Sequence, residues 1–193
     1  MNLLVLGPQG AGKGTQAKRI SSEYGIPHIS TGDMFRAEQA AGTELGKRVG
    51  EIMATGGLVP DELTIAMIEN RLAQPDAADG FVLDGFPRNL AQAEALDAML
   101  GNIGRSLDAI LFFDVPDAVG FERALKRAEL ENRRDDTPDV IRKRLEIYHR
   151  ETEPIVEHYR TTGKLIPLHA GRSIEEVWNE VTRSLELLGV GAR

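Results

Sequence analysis

The stretch Asn2–Gln16, NLLVLGPQGAGKGTQ, decides the fold, because a short apolar run leads directly into a glycine-rich turn and a lysine. Leu3–Leu6 has the composition of a parallel strand buried on both faces, and a helical pattern starts at Lys13. The backbone N–H groups of such a loop converge on an anion, and the helix N-terminus and the lysine add positive charge. The stretch therefore predicts a phosphate-binding loop between a strand and a helix.

One residue departs from the common phosphate-loop pattern G-x-x-x-x-G-K-[ST]. Gly14 stands where a magnesium-binding hydroxyl is expected, and Thr15 follows one position later. A phosphate loop alone does not say whether the phosphate is sensed, hydrolysed or transferred. The remainder of the chain has to distinguish these functions.

Short apolar runs alternate with longer segments of helical period, which is typical of an α/β fold with a parallel sheet. We predict a three-layer P-loop fold in which helices flank a central five-stranded parallel sheet, with strands near 3–6, 27–29, 80–83, 109–115 and 164–168. Helices are expected to follow Lys13, Thr31, Asp61, Asn89, Asp117, Thr137 and Ser173, and the one from about 137 to 160 is expected to be continuous. The length of 193 residues suits a single domain. The glycine-rich segment 40–57 and the charged segment 129–136 are candidates for mobile flaps.

Composition limits the partners. A formal net charge of −7 argues against a general nucleic-acid or membrane-surface binder, because those proteins need basic faces. The absence of cysteine excludes disulfides and thiolate metal sites. No apolar run approaches the length of a membrane span or signal core. We therefore expect a cytoplasmic monomer that binds small molecules and neither nucleic acid nor membrane.

Other classes of phosphate-loop protein leave signatures that this chain lacks. A GTPase would carry Asn-Lys-x-Asp, and no asparagine here is followed by lysine. A motor or helicase ATPase usually has an acidic pair after a strand, whereas the strand GFVLDGFPR ends in the single acid Asp84. Asp84 lies at the carboxyl end of a predicted central strand, where open α/β sheets bind ligands, and it is positioned to orient Mg²⁺ through water.

Several arginines are expected on the ligand side of the sheet or on its flaps: Arg36, Arg88, Arg123, Arg127, Arg133, Arg134 and Arg144. Phosphoryl transfer requires charge stabilisation and exclusion of water more than covalent chemistry from the protein, and arginine supplies planar bidentate donors. For Arg123 and Arg134 a solvated surface is a serious alternative, because both lie in or beside a stretch dense in charges of both signs.

Five segments in register resemble the adenylate kinases, which interconvert ATP and AMP with two ADP. The segments are GPQGAGKGTQ at 7–16, ISTGDMFR at 29–36, GGLVPDEL at 56–63, GFVLDGFPRN at 80–89 and RRDDTPDVIRKRL at 133–145. The resemblance runs through nearly the whole chain. It implies an AMP-binding flap at 30–59 and a short lid at 127–137, which has no room for the zinc-binding insertion of long-lid relatives.

The resemblance also implies roles for individual residues. Those implied for ATP are Gly10, Ala11, Gly12, Lys13, Gly14, Thr15, Arg127 and Arg172. Those implied for AMP are Thr31, Arg36, Gly57, Leu58, Val59, Gly85, Phe86, Pro87, Arg88, Gln92, Arg133 and Arg144, with Gln92 at the adenine edge. The catalytic set would be Lys13, Asp84, Arg88, Arg127, Arg133 and Arg144, and Arg134 is the alternative to Arg133. Mg²⁺ would be held mainly by ATP phosphates and water, with no protein metal site and no structural zinc.

The mechanism this implies is direct in-line transfer of the γ-phosphoryl group of ATP to the phosphate of AMP. That phosphate is already anionic at neutral pH and needs no general base, so His28, His149, His158 and His169 are expected on the surface or on helices, without a catalytic role. Two alternatives remain: a UMP/CMP-type or broader nucleoside monophosphate kinase, and a nucleotide-dependent regulatory module with little catalysis. Thr31 and Gln92 favour AMP, because related UMP/CMP kinases usually carry Ala and Asn there.

Overall fold

The computed structural model describes residues 1–133 and 136–189 of the chain. Within them, five strands form one all-parallel sheet in the order β2–β3–β1–β4–β5. The strands are β1 (Asn2–Leu6), β2 (His28–Ser30), β3 (Phe81–Asp84), β4 (Ala109–Asp114) and β5 (Leu165–His169). Each predicted strand lies within one residue of these bounds, so the predicted fold class is confirmed.

Nine α-helices connect and cover the strands in the described part of the chain. They are α1 (Lys13–Tyr24), α2 (Thr31–Ala40), α3 (Glu44–Ala54), α4 (Asp61–Leu72), α5 (Leu90–Asn102), α6 (Asp117–Leu130), α7 (Pro138–Ile147), α8 (Glu153–Arg160) and α9 (Ile174–Leu187). All seven predicted helix starts are confirmed. Side-chain caps explain several of them: Asn89 accepts from the backbone N–H of Gln92 at the start of α5, and Ser173 and Glu176 form a capping box at α9. None of these helices is long and apolar enough to cross a membrane.

The glycine-rich segment 40–57, for which we predicted no helix, contains α3. The glycines that lower its helix propensity allow α3 to approach α2 closely. A Cβ added to Gly46 would lie 2.1 Å from the carbonyl oxygen of Glu38, and α3 packs its own small core of Phe35, Val49, Met53 and Val59. Tertiary contact therefore outweighs local propensity here.

The helix predicted for 137–160 is present, but a π-helical turn at Tyr148–Thr152 interrupts its α-helical hydrogen bonding and separates α7 from α8. Pro154 accounts for the break, since it lacks a backbone N–H and its ring crowds the carbonyl four residues earlier. The predicted buried seam is nevertheless present, at Ile141, Leu145, Tyr148, Thr152, Ile155 and Tyr159.

The sheet separates two apolar cores. On one face, α1 and α9 pack through Ile20, Val181 and Leu185, and on the other, α4, α5 and α8 pack through Ile68, Leu96 and Ile155. Burial of the sheet on both faces explains why its central strands are apolar throughout. The loops at the carboxyl ends of the strands remain open to ligands, as expected for this topology.

Candidate active site

A cleft of about 790 Å³ opens along the carboxyl ends of the strands. Its wall contains every site residue predicted from the sequence except Phe86: Gly10, Ala11, Gly12, Lys13, Gly14, Thr15, Thr31, Arg36, Gly57, Leu58, Val59, Asp84, Gly85, Pro87, Arg88, Gln92, Arg127, Arg133, Arg144 and Arg172. Phe86 is not part of the wall, because its side chain is fully buried in the core beside α4 and α5. The fold thus brings residues from the whole length of the chain to one concave surface.

Lys13 begins α1, and its ammonium turns back over the phosphate loop. Nζ donates to the carbonyl oxygens of Gly7 and Pro8, at 2.6 and 2.7 Å. Burial lowers the pKa of Lys13 to about 8, and the charges of Arg88 and Arg127 act in the same direction against the carboxylate of Asp84. The loop thus holds a partly desolvated cation, which a phosphate group would stabilise.

The phosphate loop packs on the first turn of α6. Gly10 has a left-handed backbone, with φ of 80°, and a Cβ added to it would lie 1.9 Å from the carbonyl oxygen of Gly120. A Cβ added to Gly120 would lie 2.7 Å from the carbonyl oxygen of Gln9. Only glycine fits at this crossing, which fixes the loop against the helix that carries Arg127.

Asp84 ends β3 and lies beside β1, paired in register with Val5. Its Oδ2 lies 3.3 Å from Nε2 of His28, and an added Cβ on Gly14 would lie 3.4 Å from the same oxygen. Burial raises the pKa of Asp84, but the hydrogen bond with His28 and the charges of Lys13, His28 and Arg88 more than offset that effect and lower it overall. Asp84 is therefore an ionised carboxylate facing the phosphate loop.

The prediction for His28 as a surface or helix residue is wrong. His28 belongs to β2, and only 11% of its side chain is exposed. No local pattern indicates this contact, because Asp84 is 56 positions away and only the pairing of β2 with β3 brings the two residues together.

Arg88 and Thr31 share one acceptor on the side of the cleft opposite the loop. Nε of Arg88 and Oγ1 of Thr31 both donate to the carbonyl oxygen of Gly85, at 2.8 and 2.9 Å. Burial lowers the pKa of Arg88, as do the charges of Arg144 and Arg36, while Asp84 opposes them. Three guanidinium groups thus converge on a second position suited to a phosphate.

Gln92 lies beside this second position and is almost completely buried. Its Oε1 accepts from the backbone N–H of Arg88 at 2.8 Å, and its Nε2 donates to Oδ1 of Asp61 at 2.7 Å. Asp61 was not among the predicted site residues. Its contact with Gln92 forms because α4 and α5 pack side by side in the fold.

Two of the predicted catalytic arginines, Arg127 and Arg144, meet at a carboxylate that the sequence analysis did not single out. The Asp136 side chain is fully buried, and it accepts from Arg127 at 2.7 Å, from Arg144, and from Nε2 of Gln9 at 2.8 Å. The lid is therefore joined to the phosphate loop through one anionic group. Arg133 lies in the cleft wall and pairs with Glu131 at 2.6 Å, whereas its alternative, Arg134, lies outside the described residues.

Arg123 is a cleft residue, so the interpretation of it as a solvated surface residue is wrong. Its guanidinium donates to the carbonyl oxygens of Ala170, Gly171 and Arg172, at 2.6, 3.1 and 2.9 Å. The available sequence signal was its position one turn before Arg127 on the same helix face. Arg123 ties α6 to the loop before α9, which contains Arg172.

The described residues contain no cluster of three or more His, Cys, Asp or Glu side chains suited to a metal ion. The one carboxylate at the end of β3 nevertheless fits Mg²⁺, which is commonly bound by one or two carboxylates, phosphate oxygens and water. Asp84 is ionised and faces Lys13 and Gly14, so a cation shared with a bound phosphate would lie next to it.

Known proteins and one family model match this chain over most of its length. The family model described as adenylate kinase matches residues 5–164. Similar proteins include an adenylate kinase of Xanthomonas euvesicatoria, 49% identical over 96% of this chain and 99% of that protein, and one of Xanthomonas campestris with the same values. An adenylate kinase of Kosmotoga olearia is 45% identical over 97% of this chain and its own full length.

Proposed function

Because this chain belongs to the adenylate kinase family, we propose that it reversibly transfers the γ-phosphoryl group of ATP to AMP, giving two ADP. The observation that carries the proposal is the pairing of two phosphate positions in one cleft. The phosphate loop with Lys13 forms the first, and the arginines around Arg88 form the second. Asp84 lies between them, within reach of both charges.

On the ATP side, the N–H groups of the loop from Gly10 to Thr15 and the start of α1 would surround the phosphates. Lys13 would exchange its hydrogen bonds with the loop carbonyls for phosphate oxygens and follow the transferred group. Arg172 and the loop it belongs to would contact the adenine, held there by Arg123.

On the AMP side, Arg36 and Arg88 would bind the phosphate, and Thr31 and Gln92 would contact the nucleoside. Gly57, Leu58, Val59, Gly85 and Pro87 line the cleft, and the backbone of 57–59 and 85–87 would complete the AMP side of it. Burial of Gln92 favours its use in base recognition, because a buried amide can reject a base that leaves it unpaired.

Catalysis would come from positioning and charge. Arg127, Arg133 and Arg144 would stabilise the transferring group, and the first and last of these would move from Asp136 to phosphate oxygens as the lid closes. The acceptor oxygen is anionic, so no side chain has to remove a proton. Exclusion of water is the remaining requirement, and the segments we propose for it are the flap at 30–59 and the short lid at 127–137.

Mg²⁺ bound to ATP would supply charge neutralisation on the phosphates, and Asp84 would orient it through water. The small-molecule partners are ATP, AMP and ADP. We propose a cytoplasmic monomer on the family resemblance, with no zinc in the lid because the chain has no cysteine to bind it.

A coupled assay for ADP tests the proposal directly. ATP and Mg²⁺ are supplied with AMP, UMP or CMP as the acceptor, and we expect turnover with AMP to exceed that with either pyrimidine nucleotide. Product from UMP or CMP without product from AMP would support the alternative kinase. A protein that binds nucleotides and transfers no phosphate to any acceptor would support the regulatory alternative.

A further inference from the structure

The side-chain amide of Gln92 is held between a donor and an acceptor that cannot exchange roles. The backbone N–H of Arg88 can only donate, and it meets Oε1 at 2.8 Å. The carboxylate of Asp61 can only accept, and it meets Nε2 at 2.7 Å. Reversing the amide would place its oxygen against the carboxylate and its nitrogen against the N–H. These two contacts therefore assign one orientation to Gln92.

Asp61 contacts the Gln92 amide on the side away from the cleft. Among the described residues, the cleft wall includes Gln92 but not Asp61, which lies in the first turn of α4. The same oxygen of Asp61 accepts from Nδ2 of Asn89 at 2.9 Å, and Oδ1 of Asn89 accepts from the backbone N–H of Gln92 at 2.9 Å. Asp61 thus joins the first turns of α4 and α5 directly behind the group that faces the ligand.

We propose that Asp61 is a positioning residue that sets the base specificity of the acceptor site by fixing the orientation of the Gln92 amide. The inference rests on the proposed function, in which Gln92 contacts the base of AMP. In the fixed orientation, Oε1 has one remaining lone pair and Nε2 one remaining N–H. Adenine offers a 6-amino donor beside a ring-nitrogen acceptor, and these two groups match the amide.

A 6-oxo purine reverses this pattern at the exocyclic position. Hypoxanthine has the size and shape of adenine but presents an acceptor oxygen, which the fixed amide would meet with its own oxygen. An amide that could reverse would instead offer its N–H to the oxo group. The contact between Asp61 and Gln92 therefore rejects the oxo base through a group that does not itself touch the ligand.

The test compares AMP with inosine monophosphate as acceptors of phosphate from ATP. Asp61→Asn keeps the shape of the side chain but can donate as well as accept, so reversal of the Gln92 amide is then opposed by the backbone N–H of Arg88 alone. Glu62→Gln is the matched control, because it removes the same charge from the same helical turn at an exposed position. Values of kcat and KM are measured for both acceptors, together with the melting temperature.

We expect Asp61→Asn to lower the ratio of kcat/KM for AMP to that for inosine monophosphate about tenfold, the effect of losing one charge-assisted hydrogen bond. The change should lie in KM, with kcat for AMP within about twofold of the starting value, because the contact acts equally in the ground and transition states. Asp61→Glu, which keeps an acceptor-only head group, should restore most of the discrimination.

An unchanged ratio in a folded Asp61→Asn enzyme that still phosphorylates AMP would overturn the inference and leave the proposed function standing. An equal fall in the Glu62→Gln control would also overturn it, because the cause would then be helix-terminal charge. Failure of the unmodified protein to phosphorylate AMP would overturn both proposals. Should Asp61→Asn fail to fold, Asp61→Ala tests the same expectation, since it also removes the carboxylate.

Discussion

Replacing Gly10 by alanine should destabilise the protein far more than the same change at Gly12, two residues along the loop. Both glycines have left-handed backbones, with φ of 80° and 85°. An alanine therefore costs about 1–2 kcal/mol of conformational energy at either position. The environments differ, because the added Cβ at Gly12 has open space within 4 Å, whereas at Gly10 it would lie 1.9 Å from a backbone oxygen of Gly120.

The steric contribution at Gly10 can be estimated from the structure. The Gly120 oxygen belongs to the first turn of α6, so it cannot retreat without moving the helix. Overpacking of this kind costs about 1–3 kcal/mol beyond the conformational energy. We expect Gly12→Ala to lower the free energy of unfolding by about 1–2 kcal/mol and Gly10→Ala by about 2–5 kcal/mol, the sum of the two contributions.

Urea denaturation followed by circular dichroism measures both values, provided that the m-values agree. Gly101→Ala in α5 serves as a control, because this glycine is helical and its added Cβ meets no atom within 4 Å. It should lose no stability. Equal losses for Gly10→Ala and Gly12→Ala would refute the argument that the loop is fixed by its contact with α6.

Three further predictions concern charged groups of the cleft. Because burial lowers the pKa of Lys13 to about 8 and a bound triphosphate should return it to the ordinary range, Lys13 should take up a fraction of a proton on ATP binding at pH 8.5 and much less at pH 6.5. Calorimetry in buffers of different ionisation enthalpy measures this uptake, and Lys13→Met should abolish it. Arg88→Ala should reduce turnover at least about 10²-fold with an unchanged circular dichroism spectrum, and near-normal turnover would contradict the assigned role. Asp136→Asn should lower the free energy of unfolding by about 1–3 kcal/mol in urea, because it weakens two charge-assisted hydrogen bonds to partly exposed arginines. Asp139→Asn, whose side chain is 95% exposed, should have almost no effect, and equal losses would contradict the role of Asp136.

The fold could be predicted from local patterns because its strands are short, apolar and buried on both faces. Leu3–Leu6 and the turn that follows it contain the strand, the loop and the helix start in one uninterrupted stretch. The capping residues likewise predicted the starts of α5, α7 and α9, because a capping side chain hydrogen-bonds to the backbone within three residues of the helix start. These signals are local, so they can be recognised in the sequence without knowledge of the fold.

The errors occurred where tertiary contacts decide the structure. Gly46 disfavours a helix by propensity, yet the close approach of α3 to α2 requires it. The π-helical turn between α7 and α8 follows from Pro154. The proline is visible in the sequence, but the regular apolar seam led us to predict an uninterrupted α-helix there. In both segments the local signal was real, but it did not determine the structure by itself. Packing determined the structure at α3, and the proline determined it between α7 and α8.

The residues of the candidate site likewise fall into those that the sequence predicts and those that only the fold brings together. The phosphate loop, Asp84 and Arg88 have sequence context that indicates chemistry, and the resemblance to adenylate kinases supplied the remaining contacts. His28 and Asp61 could not be predicted, because each acts on a partner that only the folded chain brings near: Asp84 for His28, and Gln92 for Asp61. Residues that orient other residues carry no motif of their own.

The wall of the cleft has an electrostatic consequence for the ligands that can enter it. Its described residues include nine basic side chains and three acidic ones, a net charge of +6, although the whole chain carries −7. Low-dielectric walls focus such a field into the opening, while salt screens the acidic exterior beyond about 10 Å at an ionic strength of 0.1 M. A nucleic-acid strand would extend beyond the cleft, so we expect this charge distribution to favour a small anion held inside the cleft over a polymeric one.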